Sequence, residues 1–470
     1  DRIAQVRIGT RLAVICAGRG DTGRARAYVE ASEKLLGEQL SPKLEVDWLV
    51  NRAIALRACF DGEGAEAALA SAIEIANQEG LKGRLATAVS ELGSLVYRQG
   101  ELERAENLFS KAIKFESELG RKVAEAELHF RLSTVERARG HLKEASAALQ
   151  RAETAFKDAN HPNGVSRCLF AKAGIAHTNG LGDEAHAILA DCLAIRRETG
   201  DCLGAAQVLG EQATVHRDRG ELASALELYT HSLEIRREAG DRYGVAVVLN
   251  DLAMVYRFRG DYPQALDLYR ESLVTKEAMG DRYGMALTLN ELALALKDQG
   301  SYNEAFETVE RGIELAHAVN ARLLLIRLRN NKAHLMASFG DLESATELLE
   351  TNLTEIQHLG CRLEEPKTLG AMAEIYRIRR CTGEAIEAVR RCEALAEDSG
   401  DKRALAFSLL QRAQLEADRG GYFVALEGLK KCHELRKQLQ EVRGIAEVLW
   451  REGAVHEALE NWTAAAEAYE

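Results

Sequence analysis

The chain repeats itself every 40 residues along its whole length, without an insertion or a deletion. Reading every fortieth residue gives the same amino acid twelve times: Ala25, Ala65, Ala105, Ala145, Ala185, Ala225, Ala265, Ala305, Ala345, Ala385, Ala425 and Ala465. The residue twelve positions before each alanine is always Ala, Gly or Ser. Large apolar residues such as Phe109 and Tyr269 stand four positions after the alanine. A strict period of this length is typical of architectures in which one structural unit stacks on the next.

Glycine divides each period into two segments. It stands at position 20 of most periods, as in Gly260, and at position 40 of most, as in Gly240, while Asn160 and Asn320 take two of the remaining places. Glycine, and less often asparagine, lets a helix end in the left-handed conformation. Between these stops, apolar residues recur at three- and four-residue spacing, and only four prolines interrupt the chain. Each period therefore predicts a helix A at about positions 2–18 and a helix B at about positions 22–38.

The pattern of small and aromatic residues resembles the tetratricopeptide repeat. The residues that carry the resemblance in one period are Leu252, Ala253, Tyr256, Ala265, Tyr269 and Ser272. The period is 40 residues here rather than the usual 34, which makes each helix about one turn longer. The resemblance implies an all-α fold, a right-handed superhelix of about twelve helix-turn-helix repeats that forms one domain over residues 1–470. The predicted repeats are 1–40, 41–80, 81–120, 121–160, 161–200, 201–240, 241–280, 281–320, 321–360, 361–400, 401–440 and an incomplete 441–470.

Long repeats of this kind resemble those of two biological settings. One is the sensor region of large bacterial signal-transduction NTPases of the STAND type and their associated transcription regulators. The other is the animal adaptor that orients the spindle. The segment 236–244, which reads RREAGDRYG, is more similar to the bacterial regulators. We therefore expect the sensor or partner-docking region of a larger bacterial signalling protein. A free-standing adaptor scaffold and a small-molecule effector sensor are the alternatives.

Composition argues against several classes of protein. The formal net charge is −12, so we expect neither direct nucleic-acid binding nor attraction to an anionic membrane surface. No apolar run approaches the length of a membrane span. The nine cysteines form no C-x-x-C pair, and no signal peptide opens the sequence. Reduced, buried thiols such as Cys168, Cys192, Cys392 and Cys432, in a cytoplasmic protein, are the expectation.

The candidate binding residues lie on helix A, which lines the concave wall in the tetratricopeptide family. Position 17 of the period carries Arg or Lys in six repeats, and position 10 carries Asn in three. Asparagine amides pair with a peptide backbone in both directions, and cations attract acidic side chains. The predicted groove consists of Asn250, Asn290, Asn330, Arg137, Arg217, Arg257, Lys297 and Arg377. Its partner would be a protein or peptide with a locally acidic segment.

Simpler interpretations of these residues stay open. Basic residues near a helix C-terminus also offset the helix dipole, and each asparagine could bond to the neighbouring repeat. The groove hypothesis places the helix-B residues Arg196, Arg236 and Lys276 outside the groove.

Catalytic and metal-binding motifs are lacking in the sequence. It contains no P-loop and no H-E-x-x-H, and no histidine stands at ligand spacing from a cysteine. We expect no enzyme activity and no cofactor. Glu364 and Glu365 before Pro366 predict the start of a helix. Apolar residues near both ends, including Leu12 and Trp462, predict that the native protein continues beyond at least one end or that an end packs on another chain.

Overall fold

The computed structural model describes residues 2–18, 22–35, 41–58, 61–361 and 364–470, and within these ranges it is all helix, with no β-strand. The helices are α1 (Arg2–Gly18), α2 (Thr22–Leu35), α3 (Pro42–Ala58), α4 (Gly62–Gln78), α5 (Lys82–Gln99), α6 (Leu102–Glu118), α7 (Lys122–Arg139), α8 (Leu142–Asp158), α9 (Pro162–Thr178), α10 (Gly182–Glu198), α11 (Cys202–Asp218), α12 (Leu222–Glu238), α13 (Arg242–Arg259), α14 (Tyr262–Met279), α15 (Arg282–Gln299), α16 (Tyr302–Ala318), α17 (Arg322–Ser338), α18 (Leu342–Leu359), α19 (Glu365–Ile378), α20 (Thr382–Ser399), α21 (Lys402–Asp418), α22 (Tyr422–Gln438), α23 (Val442–Ala458) and α24 (Trp462–Tyr469).

Each period contains one pair of these helices, and the predicted helix bounds are confirmed. Gly260 and Gly280 end α13 and α14 with φ of 82° and 69°. Asn160 and Asn320 take the same left-handed conformation, with φ of 49° and 50°. Arg380, Gln440 and Glu460 also take this conformation, although they are neither glycine nor asparagine. The helix start expected at Glu364 and Glu365 is also present, because α19 begins at Glu365 with Pro366 in its first turn.

The alanine column forms the contact between the two helices of a pair. Ala265 has no exposed surface, and neither has Tyr269 one turn later. Position 32 is also small, but in several repeats it donates a hydrogen bond as well. Ser232 Oγ donates to the carbonyl oxygen of Ala206 at 2.7 Å, and Ser272 Oγ donates to that of Ala246 at the same distance. Small residues therefore let helices A and B approach closely, and a hydroxyl ties them together.

The stretch 236–244 closes the junction between two repeats. Arg236 donates to Asp241 at 2.7 Å, and Asp241 caps α13 by accepting from the backbone N–H of Gly244. A Cβ at Gly244 would overlap Arg236 Nη1 and Asp241 Oδ2, so a larger residue there would have to displace these side-chain ends. One repeat earlier, Arg196 donates to Asp201 in the same way. These cations lie on helix B, and the next repeat covers them: Lys276 is 2% exposed and Arg196 7%, and Arg236 is half-buried.

Helix A lies on the inner side of the array. Each A helix contacts the A helix of the next repeat, from α1 with α3 to α21 with α23, whereas within the described residues no comparable contact joins two B helices. Because the A helices crowd together, the stack curves toward them, and they form its concave wall.

The curvature brings the second half of the chain onto the first. Cys361 Sγ lies 4.0 Å from the carbonyl oxygen of Gly100, and Gln440 donates to Asp183, across sequence separations of 261 and 257 residues. Leu439 packs on Gly180 so closely that no Cβ would fit there. One superhelical turn thus takes about six and a half periods of 40 residues, and the next turn stacks directly on it. We call this contact between turns the seam.

Buried thiols occupy several small positions, as expected. Cys168, Cys192, Cys392 and Cys432 are buried and unpaired, and burial raises the pKa of Cys168 and Cys392 to about 12. Cys59 lies outside the described residues. Among the described helices, none is long and apolar enough to cross a membrane.

Candidate binding lumen

The A helices enclose a space that we call the lumen, because the seam closes the concave groove into a channel. Three further contacts of the seam join the end of one A helix to the start of another. Arg403 meets Asp218 at 3.4 Å over a separation of 185 residues. At the same separation Arg443 stacks on Phe258, with its Cζ 4.4 Å from the ring centroid, and Arg98 interacts electrostatically with Tyr283. The lumen wall is therefore built from both superhelical turns.

The three predicted asparagines line up on α13, α15 and α17, and each contacts a neighbouring repeat. Asn330 uses its whole amide, donating to Thr368 at 2.9 Å and accepting from Asn352 at 3.0 Å. Asn290 accepts from Asn331 at 2.8 Å. Asn250 donates to Thr288 at 2.8 Å, but its carbonyl oxygen is buried without a partner. Of the three amides, that of Asn250 keeps a free group for a ligand.

Most predicted cations are paired with acids at the next position of the period. Arg217 donates to Asp218 at 2.8 Å, and Arg377 donates to Asp418 at 3.0 Å. Arg257 sits more loosely, 3.5 Å from Asp298 and 3.6 Å from Glu291, and its Nε and Nη1 have no hydrogen-bond partner.

The two remaining cations of the predicted set have more open surroundings. Arg137 is exposed. Lys297 borders a pocket of about 420 Å³ that His334 and Glu374 also line. The structure brings these cations to one wall, and their binding role stays a prediction.

Sequence reasoning missed four acids at position 11 of the period, where other repeats carry arginine or an uncharged residue: Glu91, Glu211, Asp251 and Glu291. In repeat 81–120, Glu91 forms ion pairs with Arg57 and Arg131 at 2.9 Å each. These cations hold the pKa of Glu91 below its usual value, although burial alone would raise it. Glu211 and Asp251 occupy the same position on α11 and α13. Within the described residues, neither lies within ion-pair distance of a cation.

Burial raises the pKa of both unpaired carboxyls. That of Asp251 rises to about 6, because desolvation outweighs the fields of Arg217, Lys276 and Arg236 and because Glu211 adds a like charge. The pKa of Glu211 is raised mainly by burial, against the attraction of His177 and Arg137. Both side chains keep some solvent contact, so they face the lumen from a partly desolvated position.

A tyrosine hydroxyl without a partner lies behind the same wall. Tyr269 is fully buried, and its hydroxyl makes no hydrogen bond. In the preceding repeat the equivalent Tyr229 bonds to Thr214, 2.7 Å away on helix A, whereas Met254 takes the place of that threonine for Tyr269. The charges that act on Tyr269 are Glu291, Arg257, Asp251 and Arg217, all of which lie on A helices.

Family models match the part of the chain that contains this wall. Two overlapping matches to a tetratricopeptide repeat model span residues 164–238 and 204–277, and a second tetratricopeptide repeat model matches residues 285–320. The chain carries tetratricopeptide repeats. The matched segments hold Glu211, Asn250, Asp251 and Asn290, whereas Arg137, Asn330 and Arg377 lie outside them. The repeats found on either side continue the same geometry without an interruption in the period.

Solved structures share the fold at low sequence identity. A Rap protein complexed with Competence and Sporulation Factor matches with a TM-score of 0.53 at 15% identity, covering 84% of this chain and 99% of that one. A STAND protein with a tetratricopeptide repeat sensor from Pyrococcus horikoshii matches with a TM-score of 0.44 at 14% identity, over 80% of this chain and 57% of that one. BtubC from P. vanneervenii matches with a TM-score of 0.39 at 20% identity, over 47% of this chain and 92% of that one. No curated protein matches the sequence.

Proposed function

We propose that the lumen binds a peptide or an extended protein segment between α11, α13 and α15. Tetratricopeptide repeats make the chain a protein-interaction solenoid. The observation that carries the proposal is the set of buried polar groups left without partners in one stretch of wall: the Asn250 carbonyl oxygen, the Arg257 nitrogens and the Tyr269 hydroxyl. Each unmade hydrogen bond of a buried group costs about 1–3 kcal/mol. A peptide backbone supplies the N–H and C=O groups that would satisfy the Asn250 and Arg257 atoms once these side chains turn toward the lumen.

An acidic side chain of the segment would bind at Arg257 and Lys297. Arg257 holds its present acids at 3.5 Å and 3.6 Å, longer than a charge-assisted hydrogen bond, so a ligand carboxylate adds contacts there. Arg217 and Arg377 are already engaged, and Asn330 is fully bonded, so these residues position the wall. The acidic segment must be short, because the whole chain carries −12 and repels an acidic protein at long range.

The wider role that fits this site is the sensor or partner-docking region of a larger bacterial signalling protein of the STAND kind, without catalysis of its own and in the cytoplasm. Support comes from the repeat length and from the shared fold of a Rap protein that was solved in complex with Competence and Sporulation Factor. The enclosed lumen also suits a small-molecule effector, and the outer surface suits an adaptor scaffold. Both remain alternatives that the binding test separates.

The test selects ten-residue peptides from a random display library on the chain and measures their affinity by fluorescence anisotropy. In the lumen variant, Arg257→Gln is combined with Lys297→Gln. In the matched control, Arg197→Gln is combined with Arg237→Gln, two exposed cations on helix B.

We expect the lumen variant to lose at least about tenfold in affinity for acidic peptides and the control to stay within about twofold. Equal losses in both variants, a loss in the control alone, or a library that yields no binder would each overturn the proposal.

A further inference from the structure

Position 11 of the period carries an acid in three successive repeats, Glu211, Asp251 and Glu291. Earlier in the chain, the acid at this position, Glu91, is followed by an arginine, Arg131. Glu91 is held between Arg57, at position 17 of the preceding repeat, and Arg131, at position 11 of the following one. At Asp251 the preceding position 17 is Arg217, which is turned to Asp218, and the following position 11 is Glu291. Where Glu91 has a second arginine, Asp251 therefore has another carboxylate.

We propose that Asp251, together with Glu211 on the preceding repeat, is the receptor for one positively charged group of the bound segment, a lysine or arginine side chain. This inference rests on the proposed peptide-binding function and names the chemistry of its ligand. The ligand cation takes the place that Arg131 takes beside Glu91. The bound segment would then carry two charged residues, a basic one beside Asp251 and an acidic one beside Arg257 and Lys297.

The surroundings of Asp251 leave its charge uncompensated, because every nearby cation is committed elsewhere. On α11, Arg217 donates to Asp218 and approaches Met254, while Glu211 adds a negative charge. On α12, Arg236 donates to Asp241. On α14, Lys276 donates to Thr288 at 2.7 Å. Tyr229 and Tyr269 also interact with Asp251 electrostatically, as neutral groups at physiological pH.

A second observation supports a ligand at this wall. One residue before Asp251, the carbonyl oxygen of Asn250 is buried and unpaired, and so is the hydroxyl of the fully buried Tyr269. Neighbouring helices pack 8–10 Å apart, and an extended peptide rises about 3.3 Å per residue, so about three residues span one repeat. A basic residue at Asp251 thus places the backbone that follows it within reach of these unpaired groups.

Proton linkage gives the receptor a signature that a merely structural carboxylate lacks. A bound cation favours the ionised form of Asp251, whose pKa in the free chain is about 6. Below pH 6 the ligand must displace a proton, so affinity for a basic peptide rises as the pH increases from about 5 to 7.5. The unpaired neighbour Glu211 titrates in the same direction.

The test compares a selected peptide that contains one lysine with the same peptide carrying norleucine at that place, and with an arginine version. Binding is measured to the wild type, to Asp251→Asn and to Glu234→Gln, an exposed acid on helix B that serves as the control. The asparagine variant keeps the size of the side chain and removes a poorly solvated charge, so it is expected to fold.

We expect the lysine and arginine peptides to bind Asp251→Asn about tenfold more weakly than the wild type, with their pH dependence lost and the control unchanged. The norleucine peptide should bind both forms equally. If lysine and norleucine peptides bind alike to the wild type, or lose equally in Asp251→Asn, the receptor assignment is wrong while peptide binding stands. If no peptide binds, the proposed function itself fails, and this inference with it.

Discussion

Lys276 is a buried lysine without a carboxylate partner, and its titration should be visible in the stability of the protein. Its side chain is 2% exposed and donates to Thr288 at 2.7 Å. At the same position, Arg236 reaches the capping aspartate of the next repeat, Asp241. The shorter lysine does not reach Asp281, one of whose oxygens stays buried and unpaired. Burial lowers the pKa of Lys276 from 10.5 to about 8.

The sign and size of the effect follow from this shift. Below pH 8 the lysine is charged in both the folded and the unfolded chain, and the folded state carries the full cost of the buried charge. Between pH 8 and 10.5 the folded state loses its proton first, so the contribution of Lys276 to the free energy of unfolding rises with pH. At about 1.36 kcal/mol per pKa unit, the full rise is about 3 kcal/mol.

Urea denaturation followed by circular dichroism at pH 7.5, 9 and 10 measures this rise. The quantity of interest is the free energy of unfolding of the wild type minus that of Lys276→Met, because buried cysteines and tyrosines titrate equally in both. We expect this difference to grow with pH. Lys276→Arg should reach Asp281, stay charged throughout and show no such rise. A wild-type minus Met difference that stays constant from pH 7.5 to 10 would refute the reasoning.

Three further changes test the packing. Ala265→Leu overpacks a contact with no exposed surface and should cost about 1–3 kcal/mol, with hydrogen exchange accelerating in residues 241–280 first; uniform acceleration would contradict the repeat picture. Gly244→Ala should displace Asp241 from its cap and lower the melting temperature, by about 1 kcal/mol or more in stability, whereas an unchanged melting temperature would mean that the cap tolerates a Cβ. Arg403→Glu should loosen the seam and increase the radius of gyration in X-ray scattering, while the exposed Arg419→Glu should not; identical curves for both would show that the seam does not depend on Arg403.

The helices were predictable because each depends on its own residues. A glycine at a helix end needs no distant partner to take a left-handed conformation, and the alanine column meets a residue of the same period. The curvature of the stack was not predictable in the same way. It accumulates from small rotations between repeats, and the contact of Cys361 with Gly100 appears only after about six of them. No local pattern marks those two residues as neighbours.

The placement of the predicted residues on one face of the A helices was predictable from the sequence, their contacts only in part, and their binding role stays a prediction. The asparagines and cations were found because they share a helix face, and that face does line the lumen. Their partners escaped notice because they come from adjacent repeats: Thr368 for Asn330, and Asp418 for Arg377. Aligning position 11 across repeats would have revealed the acids Glu211, Asp251 and Glu291, a signal that was present in the sequence.

The seam and the binding wall are physically connected, so we expect ligand binding and seam closure to be coupled. Arg403 of the second turn meets Asp218, which also pairs with Arg217 on α11, the helix that carries Glu211. The unpaired carboxyls owe their raised pKa to an enclosed lumen, and opening the seam would return water to them. A ligand that neutralises Asp251 gains most when water is excluded, since charge pairs strengthen in a less polar surrounding. By linkage, a ligand that binds the closed form more tightly must itself favour closure. Arg403→Gln, which removes this contact without adding a negative charge beside Asp218, should therefore weaken the binding of a lysine-containing peptide more than that of its norleucine counterpart.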